Sequence, residues 1–163
     1  MATQERLKEL FLYKDGEFIR KKNGKKVVCS KTKGHRYFRL YVDGKVKFLH
    51  RMIYVYHFGN EPKIIDHIDG DRFNNKIENL REATQEQNCL NRKHMSHSSS
   101  PYKNVIFNKI ANKWNVVLTV NKKRKYFGSY DDIELADLVA TEARDKYHGN
   151  FVNHGGLNWV ITH

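Results

Sequence analysis

Between Ile64 and Arg92 the chain reads IIDHIDGDRFNNKIENLREATQEQNCLNR, its densest run of potential ligands and bases. Asp66 and His67 are neighbours after a short apolar piece, Asn79 closes a loop rich in Asp, Asn and Gly, and Asn88 and Arg92 stand four apart. That last spacing puts both on one face of a helix. Hydrolysing a phosphodiester requires a base for the attacking water, a cation near the leaving oxygen, and donors for the phosphate charge. His67 titrates close enough to neutrality to serve as the base. Asp66 and Asn88 offer hard oxygen ligands suited to magnesium or manganese, ions that keep water and phosphate oxygens in their remaining positions. Arg92 could hold a phosphate through two parallel hydrogen bonds.

Asp-Gly and Asn-rich stretches usually mark turns and nothing more. An EF-hand is excluded, because setting Gly70 at the loop's sixth position puts Ile65 first and Lys76 last, and neither binds calcium there. The wider spacing, out to Asn79 and Asn88, is what favours chemistry over a plain turn.

The elements that must position these residues follow from the pattern around them. The first 49 residues read as short strands broken at Asp15-Gly16, Asn23-Gly24 and Asp43-Gly44, which predicts an N-terminal β-meander. Leu49, Met52, Ile53 and Tyr56 then share one helical face, with Gly59 placed to end a helix over about 50–58. KIID after Pro62 is a short strand, NLREA a second, and Thr84-x-x-Gln87 a capping box opening a helix over about 85–94. HMSHSSSP lacks periodicity and is rich in Ser, so a linker is expected at 96–101.

Beyond it, residues 102–128 hold three strand-like runs with turns at Asn108 and Asn121. Ile133, Ala136, Ala140, Ala143 and Tyr147 then form a stripe on a helix capped by Asp131 or Asp132. Charge is segregated here: residues 96–130 carry seven Lys or Arg and no acid, while 131–148 carry six acids and two bases. The expected sheet is positive and its helix negative.

The whole chain has 163 residues and a net charge of +12, and the commonest reason for such a field is a polyanionic partner. No run approaches the roughly 18 apolar residues of a membrane span, and MATQERLKELF lacks the apolar region of a secretion signal, so a cytoplasmic protein is expected. Cys29 and Cys89 lie far apart without neighbours at metal-ligand spacing, which argues against a zinc ribbon or a disulfide framework.

The segment around Asp66 resembles the HNH endonucleases of ββα-metal fold. His50-Arg51, Asp66-His67-Ile68-Asp69-Gly70-Asp71, Asn74-Asn75, Asn79-Leu80, Thr84 and Asn88 carry the resemblance over roughly residues 35–95. It implies metal binding by Asp66 and Asn88, a general base in His67, and in Asn79 the residue that ties the loop and orients that base. Asn88 stands where many members have His, and looks like the phage-borne homing branch; the protein would then work in the host bacterial cytoplasm.

Residues 102–153 resemble the Apetala-type DNA-binding domain of plant ethylene-response factors and some phage endonucleases. The residues that carry this are Tyr102-Lys103-Asn104-Val105, Lys113-Trp114, Asn121 through Gly128, and Glu134 through Gly149-Asn150-Phe151. It implies DNA contacts by Lys103, Lys113, Trp114, Lys122, Lys123, Arg124, Lys125 and Tyr126, beside His50 and Arg51 upstream. Trp114 and Tyr126 could equally fill the small core.

The expectation is therefore an α+β protein: a β-meander and HNH module over 1–95, a linker over 96–101, an Apetala-type domain over 102–153, and a tail over 154–163. It would cut double-stranded DNA with magnesium or manganese, as a monomer and with no membrane partner. Its catalytic residues would be His67, Asn79 and Arg92. The rival reading is a non-catalytic, sequence-specific DNA-binding regulator, which has no need of a base beside two oxygen ligands. An RNA-binding protein lacks support, because no exposed aromatic pair for base stacking is evident.

Overall fold

A computed structural model of the chain describes residues 2–29, 37–91 and 99–154. The chain divides into two compact units, Met1–Gln85 and Glu86–His163. This division falls ahead of the Ser-rich stretch, of which 96–98 lie outside the described residues, as do Arg92 and all of the tail after His154.

The first unit begins with a helix, which corrects the reading of its N-terminus as strands alone. In α1 (Gln4–Leu10) the Thr3 hydroxyl accepts from the Arg6 N–H at 3.2 Å and Leu7 is fully buried. Seven residues hold too few turns for an apolar period to show in sequence, and this helix draws its stability from tertiary contact. Its Gln4 amide donates to the carbonyls of Tyr56 and His57 at 3.1 and 3.0 Å. These are terminal carbonyls of α2 (Leu49–Phe58), which the helix itself leaves unsatisfied.

The strands form two separate hairpins in place of one meander, a second correction. β1 (Phe11–Lys14) pairs with β2 (Glu17–Arg20), and β3 (Arg39–Val42) with β4 (Lys45–Phe48). Asp15-Gly16 and Asp43-Gly44 turn them, with φ of 47° and 85°, then 46° and 72°. Two consecutive positive φ values suit a two-residue turn whose twist matches the strands. β1, β2 and β3 each bury side chains in the core, while β4 buries none, and β2 is bridged further by Ile19 to Lys26 past the Asn23-Gly24 turn. The core joins Leu7, Phe11, Phe18, Leu40, Met52 and Ile53, with Phe11 and Phe18 stacked at 5.0 Å. α2 ends as its sequence indicates, at Gly59 with φ 79°.

β5 (Ile65–His67) pairs antiparallel with β6 (Leu80–Glu82), setting Asp66 opposite Arg81 and His67 opposite Leu80. α3 (Gln85–Leu90) follows at the division between units.

In the second unit β7 (Val105–Asn108), β8 (Lys113–Val120) and β9 (Lys123–Tyr130) make one antiparallel sheet in sequence order. α4 (Ile133–His148) packs on it, capped by Asp132, whose Oδ1 accepts from Glu134 and Leu135 N–H at 2.7 and 2.8 Å. The expected small-residue stripe is the packing face: Ala136, Ala140 and Ala143 meet Val105, Val116 and Leu118. Among the described residues no helix is long and apolar enough to cross a membrane.

Candidate active site

Asp66 and His67 sit at the end of β5, and both are buried. The β5–β6 register brings Arg81 beside Asp66, and Nε and Nη2 of Arg81 donate to Asp66 Oδ2 at 3.0 and 2.8 Å. A carboxylate this buried needs such a cation, because an uncompensated charge in the interior is costly.

His67 is 4% exposed. Burial pushes its pKa below the ordinary value, while the Asn75 hydrogen bond and the carboxylates of Asp69, Asp66 and Asp71 pull the other way without prevailing. The ring is thus neutral at physiological pH, the form that can accept a proton. Its Nε2 lies 3.1 Å from Asn75 Oδ1. The His50 ring stands 5.3 Å away, centroid to centroid, and the Tyr37 ring 6.2 Å away.

The intervening loop is held by its own side chains. Asn79 donates from Nδ2 to Asp69 Oδ1 at 2.9 Å and to the Asn74 carbonyl at 2.8 Å, and its Oδ1 accepts from the Asp69 N–H at 3.0 Å. Burial alone would raise the Asp69 pKa, but hydrogen bonds from Asn74, the Asp71 N–H and Asn79 outweigh it and bring it below the ordinary value. The Asn79 carbonyl also accepts from the Ile68 N–H at 2.9 Å, next in chain to His67. Asn79 therefore bonds the loop, while the side chain on the His67 Nε2 is that of Asn75.

The remaining sequence candidates divide. His50 is 5% exposed, so its ring faces inward; burial, then His67 and Arg51, lower its pKa to about 3. Arg51 ties down the turn after α2, donating to Glu61 Oε1 at 2.5 Å and to the Pro62 carbonyl at 2.6 Å. Asn88 is half-buried on α3, in the second unit, and Arg92 lies outside the described residues.

In the second unit the strand period of two separates residues that are contiguous in sequence. Val116 and Leu118 face α4, so Asn115, Val117 and Thr119 take the open face, with Arg124 and Tyr126 opposite them on β9. Tyr126 is 56% exposed, its hydroxyl 2.5 Å from Ser129 Oγ, which donates to Asn115 Oδ1 at 2.5 Å. Lys125 falls on the helix side, with Nζ 2.8 Å from the Tyr147 hydroxyl, and Lys123 shares that side at the hairpin end. Trp114 packs against the core beside Phe107, at 4.7 Å between rings. Lys113 pairs with Asp131 at 3.0 Å and Lys122 with Glu86 at 3.1 Å, both on the surface. Lys103 turns its ammonium to the carbonyls of Leu90 and Asn153, at 2.7 and 2.9 Å. Burial, with Arg144 nearby, lowers its pKa to about 8.

Sequence reasoning gave no role to Asn75, Arg81 or Tyr37. The signal for Arg81 was available in principle, since pairing His67 with Leu80 also pairs Asp66 with Arg81. Nothing periodic marks Asn75 among the other Asn and Asp of its loop.

Residues 47–90 match a family described as HNH endonuclease, and the chain belongs to that family. It is 32% identical over 87 residues to Protein 3.8 of Escherichia phage T7, an alignment spanning 53% of this chain and 71% of that one. A solved structure reported as DNA binding and cleavage by the HNH homing endonuclease I-HmuI is 26% identical, covers 82% of each chain and has a TM-score of 0.39.

Proposed function

We propose that this protein is a metal-dependent endonuclease that hydrolyses phosphodiester bonds in double-stranded DNA at a recognised site. The observation that carries the reading is His67: a buried, neutral imidazole at a strand end, beside Asp66, within the segment that matches the HNH family. His67 takes a proton from water, the water oxygen bonds to phosphorus, and the P–O bond to the leaving oxygen breaks, that oxygen gaining its proton from solvent.

The residues fit a hard divalent cation. Asp66 and Asn88 carry oxygen donors, the ligand chemistry that magnesium takes while keeping water in its other positions. Asp66 would offer it a carboxylate oxygen; the HNH resemblance adds Asn88 as a second ligand, and Arg92 would be the phosphate contact. When bound, the ion would stabilise charge on the phosphate and the leaving oxygen. Arg81 holds the Asp66 carboxylate in place through its two hydrogen bonds to Oδ2.

The second unit, read as an Apetala-type domain, would lay its open face on the duplex. Supporting this are the three-stranded sheet, the single helix on one side only, and Arg124 and Tyr126 on the other. The net charge of +12 favours a polyanion. A homing role, action as a monomer and a place in the host bacterial cytoplasm complete the proposal; the phage relative is in keeping with the last.

The test is incubation of the protein with plasmid and phage DNA in magnesium or manganese, with and without chelator. Metal-dependent nicking or linearisation is expected. Binding without cleavage under all metals would replace this reading with that of a DNA-binding regulator.

A further inference from the structure

The Asn75 side chain is 4% exposed and makes two hydrogen bonds whose directions constrain one another. Its Nδ2 donates to the Phe73 carbonyl at 3.2 Å. Only the nitrogen end of a carboxamide can donate to a carbonyl, so the oxygen end is the one facing His67, 3.1 Å from Nε2. That oxygen has no proton to give, so Nε2 must supply it.

We infer that Asn75 is a positioning residue that holds His67 in the Nε2–H tautomer, so that the lone pair available to take a proton lies on Nδ1. This rests on the reading of His67 as general base. The structure carries it further than the hydrogen bond alone. His50 and Tyr37 wall the ring at 5.3 and 6.2 Å, which opposes the half-turn that would exchange the two nitrogens.

Asn75 is itself held from both sides. The Asn74 carbonyl accepts from Asn79, and the Ile77 N–H donates to the Tyr13 hydroxyl at 2.9 Å. The β1–β2 turn lies so close that a Cβ on Gly16 would stand 2.8 Å from the Lys76 nitrogen. The N-terminal hairpin thereby serves the site through the backbone flanking Asn75, although it contributes no reacting group.

The experiment is ring ¹⁵N NMR of His67 in the full chain at neutral pH, together with single-turnover nicking of plasmid DNA in magnesium. Wild-type protein is expected to show a protonated Nε2 and an unprotonated Nδ1. Asn75→Leu removes the acceptor, so the tautomers should mix and the nicking rate fall, while DNA affinity by gel shift stays within about twofold. Outer partners that orient a working side chain are typically worth roughly 10- to 100-fold, and a fall of that size is expected. Asn75→Asp keeps an oxygen at the same place and should restore the Nε2–H signature.

A wild-type ring protonated on Nδ1 overturns the inference without any variant, even if Asn75→Leu does not fold. An unchanged tautomer and rate in folded Asn75→Leu overturn it too. His67→Ala is run in parallel to separate the two failures. If that variant nicks like wild type, the base reading is what has failed; if it is inert while Asn75→Leu matches wild type, only the role of Asn75 has.

Discussion

In the first unit His50, Asp66, His67, Asn75 and Asn79 lie beneath the surface, whereas in the second Asn115, Arg124, Tyr126 and Ser129 stand on a sheet face above a core of valine, leucine and alanine. These two sets of residues handle polarity in opposite ways. A buried polar group left without a partner costs about 1–3 kcal/mol, and Asp66, His67, Asn75 and Asn79 are each hydrogen-bonded to a neighbour, which fixes their geometry before any ligand arrives. Side chains on the open face carry no such penalty, and Arg124 there is exposed to solvent. Buried, prearranged groups suit chemistry, which needs atoms held in place; exposed, adaptable ones suit contact with a long polyanion.

The largest effect expected from breaking this contrast is at the base. His67→Ala should lower cleavage by roughly 10²- to 10⁴-fold while DNA affinity stays near wild type, because affinity comes mainly from cations on phosphate. Plasmid nicking beside a gel shift measures both, and full nicking by this variant would falsify the role given to His67.

Next is the ion pair under the site. Asp66→Ala leaves the mostly buried Arg81 without its carboxylate, and a loss of about 3 kcal/mol or more is expected for breaking such a pair. The metal concentration required for cleavage should rise as well. Urea unfolding reads the first and a magnesium titration the second; a variant with unchanged midpoint and unchanged titration would refute the site.

A third effect is on acid stability. The folded-state pKa of His50 is about 3 against an ordinary value near 6.5, so the unfolded chain binds the proton first. The stability this contributes is complete above pH 6.5 and is lost progressively as pH falls toward 3. Between pH 6.5 and 5 the loss is roughly 1.5–2 kcal/mol at about 1.4 kcal/mol per unit. His50→Phe should flatten that slope in part, because the His67 pKa is displaced in the same direction. Unfolding free energies at a series of pH values check it, and an identical slope in the variant counts against the buried placement of His50.

The smallest effect distinguishes two adjacent residues. Arg124→Ala should weaken DNA binding and reduce the slope of log affinity against log salt by about 0.9, the value of one phosphate contact. Lys125→Ala, on the helix side, should change that slope little. Equal slopes for the two variants would mean that the open face is not the contact face.

Much of this arrangement was legible in the sequence, because it depends on local chemistry. Asp-Gly and Asn-Lys pairs turned hairpins where positive φ is tolerated, Gly59 ended α2, and the alanine stripe declared the packing face of α4. The Asp66-His67 pair and its polar loop were legible too, because these residues are neighbours in the chain and their types alone mark a polar turn after a short apolar strand. What local chemistry could not decide were pairings across distance. Helix α1 is too short to show a period and is recognised only by what Leu7 and Gln4 touch. The run Lys122 to Tyr126 reads as one basic patch, yet register sends Arg124 and Tyr126 to one face and Lys123 and Lys125 to the other. Lys103 looks like a surface cation and is turned toward two carbonyls instead. Asn75 differs from its neighbours in the loop only by where the fold puts its oxygen. Residue types set which chemistry was available, and tertiary contact chose which atoms face each other, because direction and burial belong to the folded chain and not to the order of its residues.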